Sequence, residues 1–434
     1  MELCEPRAGL ANAFRHGFLP GPGQAANVSG TMGILRLFLA VSVLVGHLRY
    51  GRGLFGLSFL SGGLAVQTFF IISGFYMALV LNEKYHYKGS YGTFLLQRVL
   101  RLYPLYYAIL LLILGLEAIA TLLGPQPFGV YATWSHEPRT VALTSLIFYV
   151  LSNFTILGLD WLWFVQENAQ TGQLVFTVLN LPGTNPGIDY IVNGPAWTLG
   201  VEMTFYLIAP FLVRRSIKVQ MAWLLASLTI RSIFYWSLSA KESTNWTYCF
   251  FPSVLFFFLA GSIGYQVYRK HGEKLAAFAR GYWWIFAILL LMMIDQMRLP
   301  DVRLGSVEVS IKEDFFWVYV PVAMLLVPVL FAWTHRNRVD RLIGELSYPF
   351  YLVHYHVIKA VEAWLGERHN AFFGPACFAI TLAITYLLYR VVELRTEVFR
   401  ERLFHRMRPE AKLSSENFPA EFTRPIEGRP PASP

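Results

Sequence analysis

The sequence predicts an all-α membrane protein, a polytopic bundle of about ten transmembrane helices. Of its 434 residues 55% are hydrophobic and only 15% are charged, whereas soluble domains have about 25% charged residues. Apolar runs follow one another from Gly33 to Val392 and leave no polar block of domain size. Basic residues lie mainly between these runs, as the positive-inside rule expects. The net charge of +9 therefore reflects membrane orientation, and we expect no nucleic-acid partner.

The chain divides into a membrane domain with a polar segment at each end. Residues 1–32 contain several Pro and Gly residues and no apolar core, so we expect a disordered cytoplasmic lead and no cleaved signal peptide. Residues 33–393 form the predicted membrane domain. Residues 394–434 are basic and then rich in Pro, which predicts a juxtamembrane helix followed by a disordered cytoplasmic tail.

Eleven apolar runs are candidates for membrane helices, each of which needs about 20 residues to cross the bilayer. They cover residues 33–50, 62–82, 97–116, 141–158, 196–213, 219–238, 249–268, 282–297, 314–333, 345–365 and 372–393. If all eleven crossed, the basic loops at Arg214 and Arg269 would lie outside, against the positive-inside rule. The sequence therefore predicts ten crossings with both termini in the cytoplasm, and one re-entrant or non-crossing element between residues 117 and 195.

Four of the ionisable residues inside predicted spans are candidates for function, because a charge there costs about 3 kcal/mol on insertion scales. Arg36 and His47 are eleven residues apart and share one face of the first run. Glu202 lies early in the 196–213 run, and His354 lies near the middle of the 345–365 run. Structural alternatives remain, because Arg36 and His47 can snorkel to opposite headgroup layers. His354 can likewise form a hydrogen bond between helices.

Two arginines begin the third run on the cytoplasmic side. Arg98 and Arg101 are three residues apart, so both guanidinium groups lie on one helix face. Such a pair suits a phosphate or a pyrophosphate. The alternative is ordinary anchoring at the inner surface beside an aromatic belt.

Motifs of soluble catalytic domains are absent from the sequence. It has no GxSxG elbow, P-loop, HExxH pair or Gly-rich dinucleotide turn. Cys4, Cys249 and Cys377 stand far apart, without metal-ligand spacing. The sequence therefore predicts no metal site and no separate soluble catalytic domain.

Five short motifs stand in a definite order along the chain. They are the Arg-x10-His of Arg36 and His47, FFxxSGF at 69–75, RxxRxYP at 98–104, WTLxxExxFY at 197–206 and SYxxYLxH at 347–354. Each motif is weak alone, but the ordered set resembles acyltransferase family 3, the integral-membrane O-acyltransferases. The resemblance extends over nearly the whole stretch from Arg36 to Glu393.

The chain departs from the pattern of this family at several positions. Ala65 and Thr68 replace a Gly and an apolar residue before the Phe pair, and Leu394 replaces a Pro that often follows Glu393. These differences affect packing more than chemistry. Many members also carry a periplasmic SGNH-type domain, which residues 394–434 do not resemble. Transfer is therefore expected to finish on the membrane domain or on a separate periplasmic partner.

The resemblance implies an activity and a set of site residues. An acyl group, by default acetyl, would move from cytoplasmic acyl-CoA to a hydroxyl of an extracytoplasmic or lipid-linked carbohydrate at the bacterial inner membrane. Arg36, Arg98 and Arg101 would bind this co-substrate.

The catalytic roles are a hypothesis that combines this resemblance with the predicted topology. His47 would act as general base or carry the acyl group transiently, and Glu202 would orient its imidazole. His354 is the further catalytic candidate. The competing interpretation is a transporter or flippase of a glycolipid or small solute, in which these buried charges line a pathway.

Overall fold

The computed structural model of the protein describes residues 31–48, 54, 57, 59–87, 89–124, 129–135, 141–177, 181–296, 302–304, 307–309, 311–365 and 372–407. Nearly all of the predicted lead 1–32 and the part 408–434 of the predicted tail lie outside these residues. The described residues therefore cover most of the predicted membrane domain and the start of the tail.

The described chain is mostly helical. Its α-helices are α1 (Gly33–His47), α2 (Gly62–Glu83), α3 (Ser90–Leu123), α4 (Val130–Ser135), α5 (Leu143–Thr155), α6 (Trp197–Leu212), α7 (Ile217–Ser237), α8 (Ala240–Tyr248), α9 (Phe251–Ala279), α10 (Trp283–Gln296), α11 (Ile311–Thr334), α12 (Arg338–Leu365), α13 (Phe373–Leu388) and α14 (Leu394–Met407). A π-helical turn, Tyr389–Glu393, joins α13 to α14. Each of the eleven apolar runs contains one of these helices, because a bilayer leaves the backbone only internal hydrogen bonds.

Six helical stretches among the described residues are long and apolar enough to cross a membrane. They are Gly62–Glu83, Ser90–Leu123, Ile217–Ser237, Ser243–Ala279, Phe315–Thr334 and Phe373–Phe404. The helices α1 and α5 are apolar but shorter. The protein is therefore a multi-pass membrane protein, and the count of ten crossings stays a prediction.

Short strands interrupt the helical pattern. The strands β1 (Val165–Asn168), β2 (Leu174–Phe176) and β3 (Thr184–Pro186) form an antiparallel sheet in the order β2-β1-β3, and β4 (Val302–Leu304) pairs with β5 (Val307–Val309). Three 3₁₀ turns, Asp160–Trp163, Gly187–Tyr190 and Gly194–Ala196, flank the first sheet. The all-α prediction missed these strands because three or four residues are too few to show an alternating pattern.

The first sheet is packed, and it lies in the stretch 117–195 for which the sequence predicted a re-entrant or non-crossing element. Glu167 on β1 is fully buried and accepts a hydrogen bond from the Tyr190 hydroxyl. The Tyr190 ring stacks on that of Tyr149, with centroids 4.0 Å apart. These contacts tie the sheet to α5, so the described residues of the sheet are a packed part of the fold.

The start of α1 is held by a carboxylate of α12. The Asp340 side chain accepts hydrogen bonds from the backbone N–H of Gly33, at 2.7 Å, and of Ile34, at 2.9 Å. These N–H groups have no partner within their own helix, and the helix dipole favours a negative charge there. A Cβ on Gly33 would lie 1.6 Å from the Asp340 carbonyl oxygen, so only glycine permits this approach.

The helices α2 and α9 cross at two glycines. A Cβ on Gly74 would lie 1.9 Å from the Phe258 carbonyl oxygen, and one on Gly261 would lie 1.9 Å from the Ile71 carbonyl oxygen. Small residues allow membrane helices to approach this closely. Gly74 of the FFxxSGF motif therefore has a packing role.

The close crossing of α2 and α9 leads to a testable prediction about stability. Gly74→Ala should destabilise the protein, because overpacking a tight contact costs about 1–3 kcal/mol. Thermal unfolding of the purified protein in detergent measures the effect as a lower Tm. Gly115→Ala in α3 is the matched control, since no atom lies within 4 Å of its added Cβ. Equal Tm values for the two variants would contradict the role of the crossing.

Candidate functional site

Two cavities enter the bundle and share wall residues. The charged cavity, of about 230 Å³, is lined by Arg36, Lys84, Arg98, Arg101, Glu202 and Arg400, among others. The aromatic cavity, of about 1260 Å³, is lined by His47, Trp163, Trp197, Tyr248, Tyr355 and Trp364, among others. Val66 and Tyr351 line both cavities. We call these two residues the wall.

The two arginines of α3 have different surroundings, although the sequence treated them as a pair. The carboxylates of Glu393, Glu397 and Glu345 act on the charge of Arg101. The Arg98 guanidinium lies over the rings of Phe94, at 5.7 Å, and Tyr206, at 6.0 Å, and its buried Nε has no hydrogen-bond partner. The charge of Arg101 is therefore balanced by protein groups, whereas that of Arg98 is available to a ligand.

Glu202 faces the charged cavity. Its carboxylate accepts hydrogen bonds from the hydroxyl of Ser73, at 2.6 Å, and from the hydroxyl of Tyr206. It also acts electrostatically on Arg36. Among the described residues no hydrogen bond joins Glu202 to His47, so the expected contact between this carboxylate and the imidazole is absent.

A second imidazole lies beside His47 instead. The rings of His47 and His354 have centroids 5.3 Å apart, and the ring of Tyr355 lies 5.3 Å from that of His47. His47 is exposed to the aromatic cavity, while His354 is completely buried behind it. The structure thus brings together the His of the first motif and the His of the last motif.

The hydrogen bonding of His354 determines its tautomer. Its Nδ1 lies 2.6 Å from the Tyr351 carbonyl oxygen, so this nitrogen carries the proton and donates it. Its Nε2 is buried without a hydrogen-bond partner. The free lone pair on Nε2 can accept a hydrogen bond, which makes His354 a candidate to orient a neighbouring imidazole.

The wall is held by the start of α6. The Thr198 hydroxyl donates a hydrogen bond to the Tyr351 hydroxyl at 3.2 Å. Trp197, the residue before it, lines the aromatic cavity, while Thr198 itself lines the charged cavity. The WTLxxExxFY motif therefore contributes to both cavities and to the contact between them.

Aromatic rings surround the larger cavity, and apart from Trp197 of the WTLxxExxFY motif the sequence analysis did not single them out. The centroids of Trp197 and Trp163 are 6.1 Å apart, and those of Trp197 and Tyr248 are 5.1 Å apart. His356 and Glu117 line the same cavity, with Nδ1 and Oε1 3.8 Å apart. These residues come from separate elements, so no local sequence pattern could connect them.

A buried carboxyl supports the entry of α6. Asp160 is 2% exposed, and burial raises the pKa of its carboxyl from 3.8 to about 7. A Cβ on Gly200 would lie 2.8 Å from its Oδ1. The glycine within WTLxxExxFY thus lets the 3₁₀ turn of Asp160 pack directly against α6.

The helix α14 also reaches the charged cavity, which the sequence did not predict. Glu397, Arg400 and Glu401 are among its lining residues. The sequence interpretation gave residues 394–434 no functional role, because a basic amphipathic segment is typical of a juxtamembrane helix.

The part of the chain that the structure describes holds no group of three or more His, Cys, Asp or Glu side chains suited to a metal ion.

The fold and the two cavities define a multi-span membrane protein with a buried, ionisable site at the junction. The sequence model of a family described as an acyltransferase domain matches residues 31–390. The chain therefore belongs to acyltransferase family 3, as the ordered motifs predicted. The protein is a membrane acyltransferase by family.

Two relatives match most of the chain. Nodulation protein 10 of Rhizobium leguminosarum bv. viciae is 23% identical over 387 residues, which cover 85% of this chain and 95% of the relative. Acyltransferase MdmB of Streptomyces mycarofaciens is 24% identical over 403 residues, which cover 83% and 89%. No solved structure matches the chain.

Proposed function

We propose that this membrane acyltransferase moves an acetyl group from acetyl-CoA to a hydroxyl of an extracytoplasmic or lipid-linked carbohydrate. The observation that carries the proposal is that the two cavities share Val66 and Tyr351 as wall residues. The arginines line one side of the wall and His47 lines the other. A donor and an acceptor can thus approach the same point from different cavities.

The charged cavity suits the donor. Acetyl-CoA carries several phosphate charges at its nucleotide end and an uncharged thioester at the other. Guanidinium groups bind phosphates by charge-assisted hydrogen bonds, and Arg36, Arg98 and Arg101 all line this cavity. Arg98 is the strongest of these ligands, because protein carboxylates do not balance its charge.

The imidazole pair suits general base catalysis. In the proposed step the acceptor oxygen attacks the thioester carbonyl carbon while His47 takes the hydroxyl proton. The C–S bond then breaks, and the proton passes from His47 to the CoA sulfur. His354 is a positioning residue, whose unpartnered Nε2 would accept a hydrogen bond from the His47 ring during the reaction and so direct that ring. Transient acylation of His47 is the alternative route.

The role proposed here for Glu202 differs from the one expected from the sequence, which was to orient the His47 imidazole. Its hydrogen bonds with Ser73 and Tyr206 hold the carboxylate in the lining of the charged cavity, from where its charge acts on Arg36. A carboxylate next to a buried arginine keeps that side chain charged inside the bundle. We therefore assign Glu202 to the donor cavity, where it positions Arg36 near the thioester.

The aromatic cavity suits the acceptor. Trp163, Trp197 and Tyr248 offer ring faces on which a sugar can pack. Leu112 and Leu116 line the same cavity and are 39% and 58% exposed on the outer surface of α3. A lipid attached to the sugar can lie there against the surrounding membrane lipid.

The proposed reaction needs ten crossings of the bacterial inner membrane, with both termini in the cytoplasm. Two cysteine variants test this topology with a membrane-impermeant maleimide. Gln170→Cys, in the exposed turn after β1, should be labelled in intact cells. Arg215→Cys, between α6 and α7, should be labelled only after the inner membrane is opened. Labelling of residue 215 in intact cells would refute the ten-crossing topology.

The two arginines of α3 should differ in acetyl-CoA binding. Arg98→Gln should weaken binding of labelled acetyl-CoA about tenfold or more, because a hydrogen bond between charged groups contributes about 1.5–3 kcal/mol. Arg101→Gln should mainly lower the Tm and should change the affinity for acetyl-CoA less than Arg98→Gln does. The reason is that it leaves the carboxylates around Arg101 without a balancing charge. The exposed Arg215→Gln is the control. Unchanged affinity in Arg98→Gln would indicate that this residue anchors the helix at the membrane surface and does not bind acetyl-CoA.

His47→Ala tests the chemistry. It should lower the rate of O-acetylation about 10²- to 10⁴-fold, because base-assisted proton transfer contributes a factor of this size. Acetyl-CoA binding should be retained. Mass spectrometry of glycolipid and polysaccharide fractions from expressing cells measures the product. The exposed His86→Ala is the control. Product at the wild-type level would refute the mechanism. Wild-type protein that moves a labelled glycolipid across vesicles without consuming acetyl-CoA would support the transporter or flippase.

A further inference from the structure

The helix α14 lies beyond the family match, which ends at residue 390, yet it packs against the membrane domain. The Gln97 side-chain amide donates a hydrogen bond to the Arg400 carbonyl oxygen at 3.1 Å. Phe404 is buried, its ring centroid 5.6 Å from that of Tyr85, with the Lys84 ammonium 4.0 Å above it. The helix is therefore a docked part of the fold.

The two sides of α14 differ. Val398, Phe399 and Arg402 are exposed, which is typical of a helix at a membrane surface. Arg400 is partly buried and lines the charged cavity. Two arginines only two residues apart thus occupy different environments, one at the site and the other at the surface.

Arg400 adds positive charge where the cavity already has it. Arg98 and Arg101 both act electrostatically on Arg400, and Glu397 partly offsets them. Among the described residues, neither Arg98 nor Arg400 lies within ion-pair distance of a carboxylate. Burial raises the pKa of Tyr85, and the nearby charges of Arg98 and Arg400 oppose this shift. Guanidinium groups that repel one another without an ion-pair partner favour a bound anion.

The position of these groups indicates which part of a ligand they meet. Along α6, Thr198 contacts the wall residue Tyr351, whereas Tyr206 lies beside Arg98. Eight residues of helix separate Thr198 from Tyr206, which corresponds to about 12 Å. A donor whose thioester reaches the wall would therefore place its far, nucleotide end beside Arg98 and Arg400.

We propose that α14 completes the acyl-CoA site and that Arg400, together with Arg98, binds a phosphate of the nucleotide end. The proposal rests on acyl-CoA being the donor, as inferred above. The phosphate is either the 3′-phosphate of the ribose or part of the pyrophosphate, and both offer the oxygens that a guanidinium binds.

Binding of acetyl-CoA and of 3′-dephospho-acetyl-CoA to the full-length protein in detergent tests the proposal. Arg400→Gln should weaken acetyl-CoA binding about tenfold or more, as expected for a lost hydrogen bond between charged groups. Arg402→Gln makes the same charge change on the exposed side and should bind like wild type. Arg400→Lys, which keeps the charge, should fall between wild type and Arg400→Gln.

The two ligands distinguish the phosphates. If Arg400 binds the 3′-phosphate, wild type prefers acetyl-CoA to its dephospho form and Arg400→Gln loses this preference. If it binds the pyrophosphate, Arg400→Gln weakens both ligands by the same factor. Wild-type affinity in Arg400→Gln, or equal losses in Arg402→Gln, would overturn the role of α14. Failure of the wild-type protein to bind either ligand would instead overturn the proposed donor.

Discussion

The contact between the Asp340 carboxylate and the first turn of α1 determines where the rest of the site lies. This carboxylate accepts hydrogen bonds from the backbone N–H groups of Gly33 and Ile34. Without it, these groups would be unpaired in an apolar environment. It thereby holds α1 against α12. Because α1 carries Arg36 near one end and His47 at the other, one capped helix places side chains in both cavities.

Inside the bundle, the balance of charge distinguishes the arginine that protein carboxylates neutralise from those that we propose to bind the ligand. Arg101 lies among carboxylates, and a buried charge with such neighbours is part of the fold. Arg98 and Arg400 have aromatic neighbours and one another, but no ion-pair carboxylate among the described residues. Residues of the same type, one turn apart in sequence, can therefore have different roles.

The helical part of the fold followed from local sequence, whereas its packing did not. Each apolar run contains a helix because the length and composition of a membrane span are local properties. The strands β1 to β3 are too short for a periodic signal. The helix α14 was expected, but its docking depends on Gln97 and Phe404 meeting partners that are far away along the chain.

By itself, the sequence determined the family motifs and the unusual polar residues within apolar runs, since both are read directly from residue order. Only the tertiary structure decided their neighbours: it set His354 beside His47 and placed Glu202 with Ser73 and Tyr206. The physical reason is that the helix axis and period define the face on which a residue lies. The partner of that face depends on how distant helices pack against it.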